Sequence, residues 1–168
     1  MNTLARFGTC TAAITLAVAP AATFESPKAA ADGGTRVAMD ADLRRCDFSR
    51  VDNAPLVARA LLGTASAVIT VAGSTATAEV HLVSGPNPGT HYDVGLIEEP
   101  LPSSATCGPG DPGTAFTGLQ TDAAGSGTAT IRAALRPGTT GVWVIVERAS
   151  GNTQHPAEYY TSEFLVPV

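Results

Sequence analysis

The sequence predicts an all-β protein: an antiparallel β-sandwich of about seven to nine strands, immunoglobulin-like in the broad sense. Three observations support this prediction. Apolar and polar residues alternate with a period of two, turn signals recur roughly every ten residues, and no apolar stripe of helical period is long enough to build βαβ units. One apolar and one solvated face is typical of antiparallel sheets.

The alternation is clearest in three segments between Ala65 and Ile97. The segment from Thr75 to Val83 places four apolar side chains on one face: Ala76, Ala78, Val80 and Leu82. Glu79 and His81 fall on the opposite face. Gly73-Ser74 forms a two-residue hairpin turn between this segment and Ala65–Ala72. The third segment, Thr90 to Glu98, follows a proline-rich corner and points Tyr92, Val94 and Leu96 inward.

Further strands are expected on both sides of this block. They are Arg36–Met39, a second hairpin of Phe116–Thr121 and Thr128–Leu135, the segment Val142–Val146, and a last strand Tyr159–Val166. The segment Val142–Val146 is apolar on both faces, which predicts the most buried strand, in mid-sheet, with Trp143 in the core. Asn53–Gly63 fits either a capped short helix or a strand, and the all-β setting favours the strand.

The first 31 residues have the layout of a secretory signal peptide. Arg6 lies in a short basic region, the following residues are apolar or small, and Ala29-Ala30-Ala31 supplies a cleavage site before Asp32. An earlier cut after Ala21 also fits. The predicted organisation is a signal peptide at 1–31 and a single β-sandwich domain at 32–168, without a transmembrane segment in the mature chain. We therefore expect a protein that is secreted or loosely associated with the cell envelope.

Two cysteines, Cys46 and Cys107, remain once Cys10 is removed with the leader. An even cysteine count in an exported chain favours a disulfide bond. A metal site or a redox pair would require a nearby histidine or a C-x-x-C motif, and the sequence around these two cysteines contains neither.

Charge excludes some classes of partner. The whole chain carries a net charge of −5, and the leader contains two basic residues and only one acidic residue, so the mature chain is more acidic still. Nucleic-acid binding depends on a basic surface that neutralises phosphates, and an anionic membrane surface has the same requirement. The expected partner is therefore an extracellular or cell-surface protein, and no cofactor is expected.

Two irregular segments are the predicted contact surfaces, because recognition residues concentrate on loops held by a rigid scaffold. The first runs from Glu98 to Thr114 and the second from Ala149 to Tyr160. The residues expected to make contact are Glu98, Glu99, Pro102, Asp111, His155 and Tyr159. Tyr92, Tyr159 and Tyr160 are the aromatic residues that best suit an exposed binding platform.

Catalytic chemistry has little support in the sequence. His81 and His91 fall on the polar faces of neighbouring segments and, with Glu79 or Asp93, would suit a zinc or copper site, although such residues also decorate solvated sheet faces. This small-ligand or metal-binding protein is the first alternative function. A hydrolase is the second, although the chain has no G-x-S-x-G element. Such a hydrolase needs a cleft with a histidine beside a nucleophile.

The stretch Pro88-Gly-Thr-His-Tyr-Asp-Val94 is similar to the P-G-T-x-Y-x-V element of fibronectin type III modules. The resemblance implies that the hydroxyl of Tyr92 bonds back across a corner. The chain departs from that family because it continues with further strands after Val94. It departs from antibody domains because Trp143 follows both cysteines. As a whole the chain resembles small exported proteins of actinobacteria, a likeness that carries over no functional residue. The expected function is non-enzymatic surface contact with an envelope, host or partner protein.

Overall fold

The computed structural model describes residues 33–53, 62–151 and 155–168. Within these residues the chain contains nine strands and no helix, which confirms the all-β prediction. The strands are β1 (Thr35–Asp40), β2 (Thr64–Ala72), β3 (Thr75–Val83), β4 (His91–Glu99), β5 (Thr114–Gln120), β6 (Ser126–Ala134), β7 (Gly141–Arg148), β8 (Glu158–Ser162) and β9 (Val166–Pro167). The predicted signal peptide lies outside the described residues, as does most of the ambiguous segment Asn53–Gly63.

All pairings are antiparallel and link the strands into one sheet with the order β5-β4-β7-β8-β1-β2-β3-β6, while β9 pairs with β7. We call β5, β4, β7 and β8 the β4 half, and β1, β2, β3 and β6 the β3 half. Only two residue pairs, Met39 with Ser162 and Asp40 with Thr161, join the halves by ladder pairing. The two end strands, β5 and β6, also lie against each other, so the sheet curls around its core.

The inner core is filled by alternate residues of both halves, as the period of two predicts. The β3 half contributes Val37, Ile69, Val80 and Ile131, and the β4 half contributes Tyr92, Leu96, Val144 and Val146. Burial of a side chain of this size stabilises a fold by about 1.5–3 kcal/mol. Strand β7 is buried over its first six residues, which confirms the prediction for Val142–Val146 and for Trp143.

The predicted pairing of the second hairpin is wrong. Strands β5 and β6 exist close to the predicted positions, but β5 pairs with β4 and β6 pairs with β3. The turn between them explains the difference, because it packs on the corner between β3 and β4. Ser84 N donates to Gly125 O at 2.7 Å, and Gly89 N donates to Asp122 O at 3.1 Å. The β3–β4 corner and the β5–β6 turn therefore lie side by side, and each connects one half of the sheet with the other.

The predicted last strand is also corrected. It consists of two short strands, β8 and β9, separated by residues 163–165. Strand β7 pairs with β8 through Ile145–Arg148 and with β9 through Gly141–Val142. Because the chain leaves the ladder between these pairings, Phe164 does not join the core and remains 42% exposed.

A second, smaller apolar cluster lies on the outer face of the β4 half. Ile97, Trp143 and Ile145 form its buried base, and Phe48, Leu101 and Cys107 pack against them. We call this group the outer cluster. Its members on β4 and β7 alternate with inner-core residues along the same strands, so both faces of the β4 half are covered here.

Candidate functional site

The irregular segment after β4 is shorter than predicted, because Glu98 and Glu99 belong to β4. They are 3% and 6% exposed, so neither is a contact-loop residue. Glu98 Oε2 accepts from the backbone N of Arg136 at 2.9 Å, and Glu99 Oε1 accepts from Trp143 Nε1 at 3.0 Å. Glu99 Oε2 also accepts from Leu101 N at 2.7 Å. Glu98 thus holds the connection that follows β6, and Glu99 holds the connection that follows β4.

Two loops, residues 41–53 and 100–113, together form what we call the two-loop surface. The disulfide between Cys46 and Cys107 joins them, with Cα atoms 5.6 Å apart, as the cysteine count predicted. Phe48 and Leu101 anchor the two loops in the outer cluster. The Phe48 ring meets Trp143 edge-on with ring centroids 5.6 Å apart, and the guanidinium of Arg44 lies 3.9 Å from the centre of the Phe48 ring.

The loop 100–113 is ordered by its own hydrogen bonds. Ala105 N donates to Pro102 O at 2.8 Å, and Gly108 N donates to Asp111 Oδ2 at 2.8 Å. Thr114 Oγ1 lies 2.8 Å from Gly108 O. Asp111 is therefore half-buried and tied to its own loop. The exposed residues are Pro100, Pro102, Ser103, Ser104, Thr106, Pro109, Gly110 and Pro112. The outward surface of this loop consists of uncharged small and proline side chains.

Several charged side chains of the loop 41–53 bond within the loop, either to each other or to its backbone. Arg50 Nη2 lies 2.9 Å from Asp42 Oδ2, and Arg45 Nη1 donates to Arg50 O at 3.1 Å. Arg44 Nη1 donates to Phe48 O at 3.0 Å, while burial lowers the pKa of its guanidinium. The loop 41–53 thus presents charged side chains beside the exposed side chains of the loop 100–113, which are uncharged.

The second predicted contact segment contributes less than expected. Tyr159 is only 3% exposed, because it belongs to β8, so it does not belong to a contact loop. Burial, followed by the negative charge of Asp42, raises the pKa of its phenol. His155 is exposed, and residues 152–154 lie outside the described residues. Tyr92 and Tyr160 are also buried, so the expected aromatic platform is wrong.

The two histidines proposed as metal ligands are not neighbours. His81 on β3 lies opposite Ser66 and Thr128, whereas His91 on β4 lies opposite Gln120. Strands β3 and β4 belong to different halves of the sheet and share no ladder. In the part of the chain that the structure describes, no three His, Cys, Asp or Glu side chains are grouped so that they could hold a metal ion.

A buried carboxylate that the sequence reasoning missed lies at one end of the inner core. Glu158 is 1% exposed. Its Oε1 accepts from Ser84 Oγ at 3.2 Å and from the hydroxyl of Tyr160. Its Oε2 accepts from Asn87 Nδ2 and Tyr92 OH, both at 2.9 Å, and lies 3.3 Å from Arg148 Nε. Five donors thus surround the buried carboxyl group, which satisfies both of its oxygens.

This network serves the fold. Tyr92 OH also lies 3.2 Å from Ser84 Oγ, so its hydroxyl reaches the β3–β4 corner as well as Glu158. Tyr160 OH accepts from Gly63 N at 2.6 Å. Burial raises the pKa values of both tyrosines. Because every oxygen of Glu158 is engaged, it ties the corner to β4, β7 and β8 and leaves no acceptor for a substrate. Glu158 follows a polar stretch in the sequence, which gave no signal of its burial.

A surface cleft of about 790 Å³ opens beside Tyr160, between the ends of β1, β2 and β8. Its described lining residues are Ala38, Met39, Asp40, Ala41, Asp42, Leu62, Gly63, Thr64, Ala65, Tyr159 and Tyr160. They include no histidine, so this part of the cleft lacks the base that the hydrolase alternative requires. The carboxylate of Asp42 is already paired with Arg50.

No protein-family model, curated protein or solved structure matches the chain. Within the described residues, none of the secondary structure is a helix that could cross a membrane. The disulfide is consistent with an oxidising compartment.

Proposed function

We propose that this chain is an exported binding protein that acts by surface contact with a partner protein of the cell envelope or of a host, and that the two-loop surface makes the contact. The observation that carries the proposal is the construction of this surface. It is exposed on its outer side, while a disulfide joins its two loops and the outer cluster anchors them on the sheet.

A loop that is already ordered loses little conformational entropy when it binds, so its contacts translate more fully into affinity. The loop 100–113 meets this condition through its internal hydrogen bonds and through the anchors at Leu101 and Cys107. Its exposed prolines and small hydroxyl side chains also have few rotamers to lose. A protein partner suits such a surface better than nucleic acid does, given the net charge of −5.

Export rests on the signal-peptide layout of residues 1–31 and on the disulfide. Mass spectrometry of the protein recovered outside the producing cells tests this part. We expect a chain that begins at Asp32, and that is two hydrogens lighter than its reduced form because Cys46 and Cys107 are joined. A chain that keeps Met1 and remains inside the cells would contradict it.

Site-specific photocrosslinking tests the contact itself. A benzoylphenylalanine at Ser103, on the two-loop surface, is compared with the same residue at Thr130, which is exposed on β6. In cultures of the natural source we expect a discrete covalent adduct from position 103 and none from position 130. The partner identified from that adduct is then tested by affinity capture on the protein without the crosslinker. Deletion of Pro102–Thr106 should abolish this capture. Equal adducts at both positions, or capture that survives the deletion, would remove the two-loop surface from the proposal.

A further inference from the structure

The open face of the β3 half carries a hydrogen-bonded chain of three side chains. Thr128 on β6 lies directly opposite His81 on β3 in the ladder, and its Oγ1 is 3.2 Å from His81 Nδ1. On the other side of the ring, His81 Nε2 lies 3.0 Å from Glu79 Oε1. All three side chains point to the outer face and are exposed.

The partners of the imidazole assign its protons. The carboxylate of Glu79 can only accept, so Nε2 carries the hydrogen and donates it. When the ring is neutral, Nδ1 is then an acceptor, and the hydroxyl of Thr128 is the donor to it. A hydroxyl that donates to an imidazole, which is itself oriented by a carboxylate, is the arrangement that activates a hydroxyl nucleophile.

We propose that Thr128 is an acylation site, at which His81 acts as the general base and Glu79 orients the imidazole. The class of co-substrate is an activated acyl donor, such as an activated ester or a thioester. This inference is independent of the partner-binding function, because it concerns the opposite half of the sheet.

The step balances as follows for p-nitrophenyl acetate. Thr128 Oγ1 attacks the carbonyl carbon and forms an ester bond, while its proton passes to His81 Nδ1. The bond between the carbonyl carbon and the phenolic oxygen breaks, and p-nitrophenolate leaves. The proton is then released from His81 to the phenolate or to water. We expect the acetyl group to remain on Thr128 as an ester after one transfer.

Thr130 provides an internal control. It is exposed on the same face of the same strand, but it lies opposite Glu79 and not opposite a histidine. The protein is incubated with p-nitrophenyl acetate, and acetylation at each threonine is followed by peptide mass spectrometry. We expect Thr128 to be acetylated about a hundredfold faster than Thr130, at the lower end of what a positioned general base contributes.

Variants separate this chemistry from ordinary surface reactivity. His81→Gln should reduce acetylation of Thr128 to the rate of Thr130, and Thr128→Ser should retain it. Glu79→Gln should reduce it by about tenfold, because the ring loses its orienting acceptor. His91→Gln, on the other half of the sheet, should leave it unchanged. Equal rates at Thr128 and Thr130, no effect of His81→Gln, or an acetyl group found only on imidazole would each overturn the proposal.

Discussion

The two halves of the sheet have similar inner faces and very different outer faces. On the β4 half, the outer residues Ile97, Trp143 and Ile145 are buried under the two-loop surface. On the β3 half, the corresponding outer positions hold exposed polar side chains such as Glu79, His81 and Thr130. The outer face of the β4 half is thus covered by loops, whereas the outer face of the β3 half is open to water.

This difference shows where the fold depends on more than the inner core. The outer cluster is covered by two loops, far apart in sequence, that are joined by a disulfide of sequence separation 61. The open face requires no such device, because polar side chains on a solvated face need no cover. We therefore expect substitutions on the covered face to be costly, and equivalent substitutions on the open face to be almost neutral.

Trp143→Ala should give the largest effect. The indole is fully buried and its Nε1 donates to Glu99, so the change removes both the packing and a hydrogen bond. We expect a loss of about 4–5 kcal/mol in the free energy of unfolding, the upper end of the range for a buried aromatic residue. Chemical denaturation followed by far-UV circular dichroism measures this loss. Tryptophan fluorescence cannot report on the variant, because Trp143 is the one tryptophan of the chain.

Thr130→Ala is the matched control on the open face, and it should change the free energy of unfolding by no more than about 0.5 kcal/mol. Similar losses for both variants would show that the contrast between the two outer faces has no energetic meaning.

Replacing both cysteines, Cys46→Ser with Cys107→Ser, should cost about 2–4 kcal/mol. The effect should be local as well as global. Amide hydrogen exchange at Ala105 and Gly108, whose amides bond within the loop 100–113, should accelerate strongly. The ladder between β2 and β3 should keep its protection. Uniform acceleration in both halves would mean that the disulfide stabilises the whole sheet equally.

Much of the fold could be predicted because the inner face obeys one rule. Alternation identified Val80, Leu82 and Val94 as inward residues, and an apolar run predicted burial of Val142–Val146 on both faces; all of these residues are buried. The pairing of β5 and β6 could not be predicted in the same way. Alternation determines which face a side chain occupies, but the strand beside which it lies depends on the packing of the turn on Ser84 and Gly89.

The candidate site was predictable only where chemistry has a strong local signal. The two cysteines that follow the predicted leader predicted the Cys46–Cys107 disulfide. Glu98 and Tyr159 were each predicted at the junction of a strand and a contact segment, and the ladder extends through both of them. The His81–Thr128 contact was missed because it depends on the register between β3 and β6, strands that are far apart in sequence.

The smallest expected effect concerns Glu147, which lies opposite Asp93 on the outer face of the β4 half. Burial, and then the charge of Asp93, raise the pKa of Glu147 above its unfolded-state value. The stability that this group contributes is therefore full below the unfolded-state pKa and is lost as the pH rises through the raised folded-state pKa. At neutral pH, Glu147→Gln should stabilise the protein by up to about 0.5 kcal/mol, since solvent screens a half-buried carboxylate.

At a pH well below 4, Glu147 is protonated and therefore uncharged, like the glutamine that replaces it. The parent protein and the Glu147→Gln variant should then have equal stability. Asp93→Asn removes one of the two causes of the shift, so Glu147→Gln should gain less in that background. Urea denaturation of the four proteins at neutral and acidic pH measures these differences. A glutamine variant that is less stable than the parent at neutral pH would show that Glu147 contributes a favourable interaction as an anion.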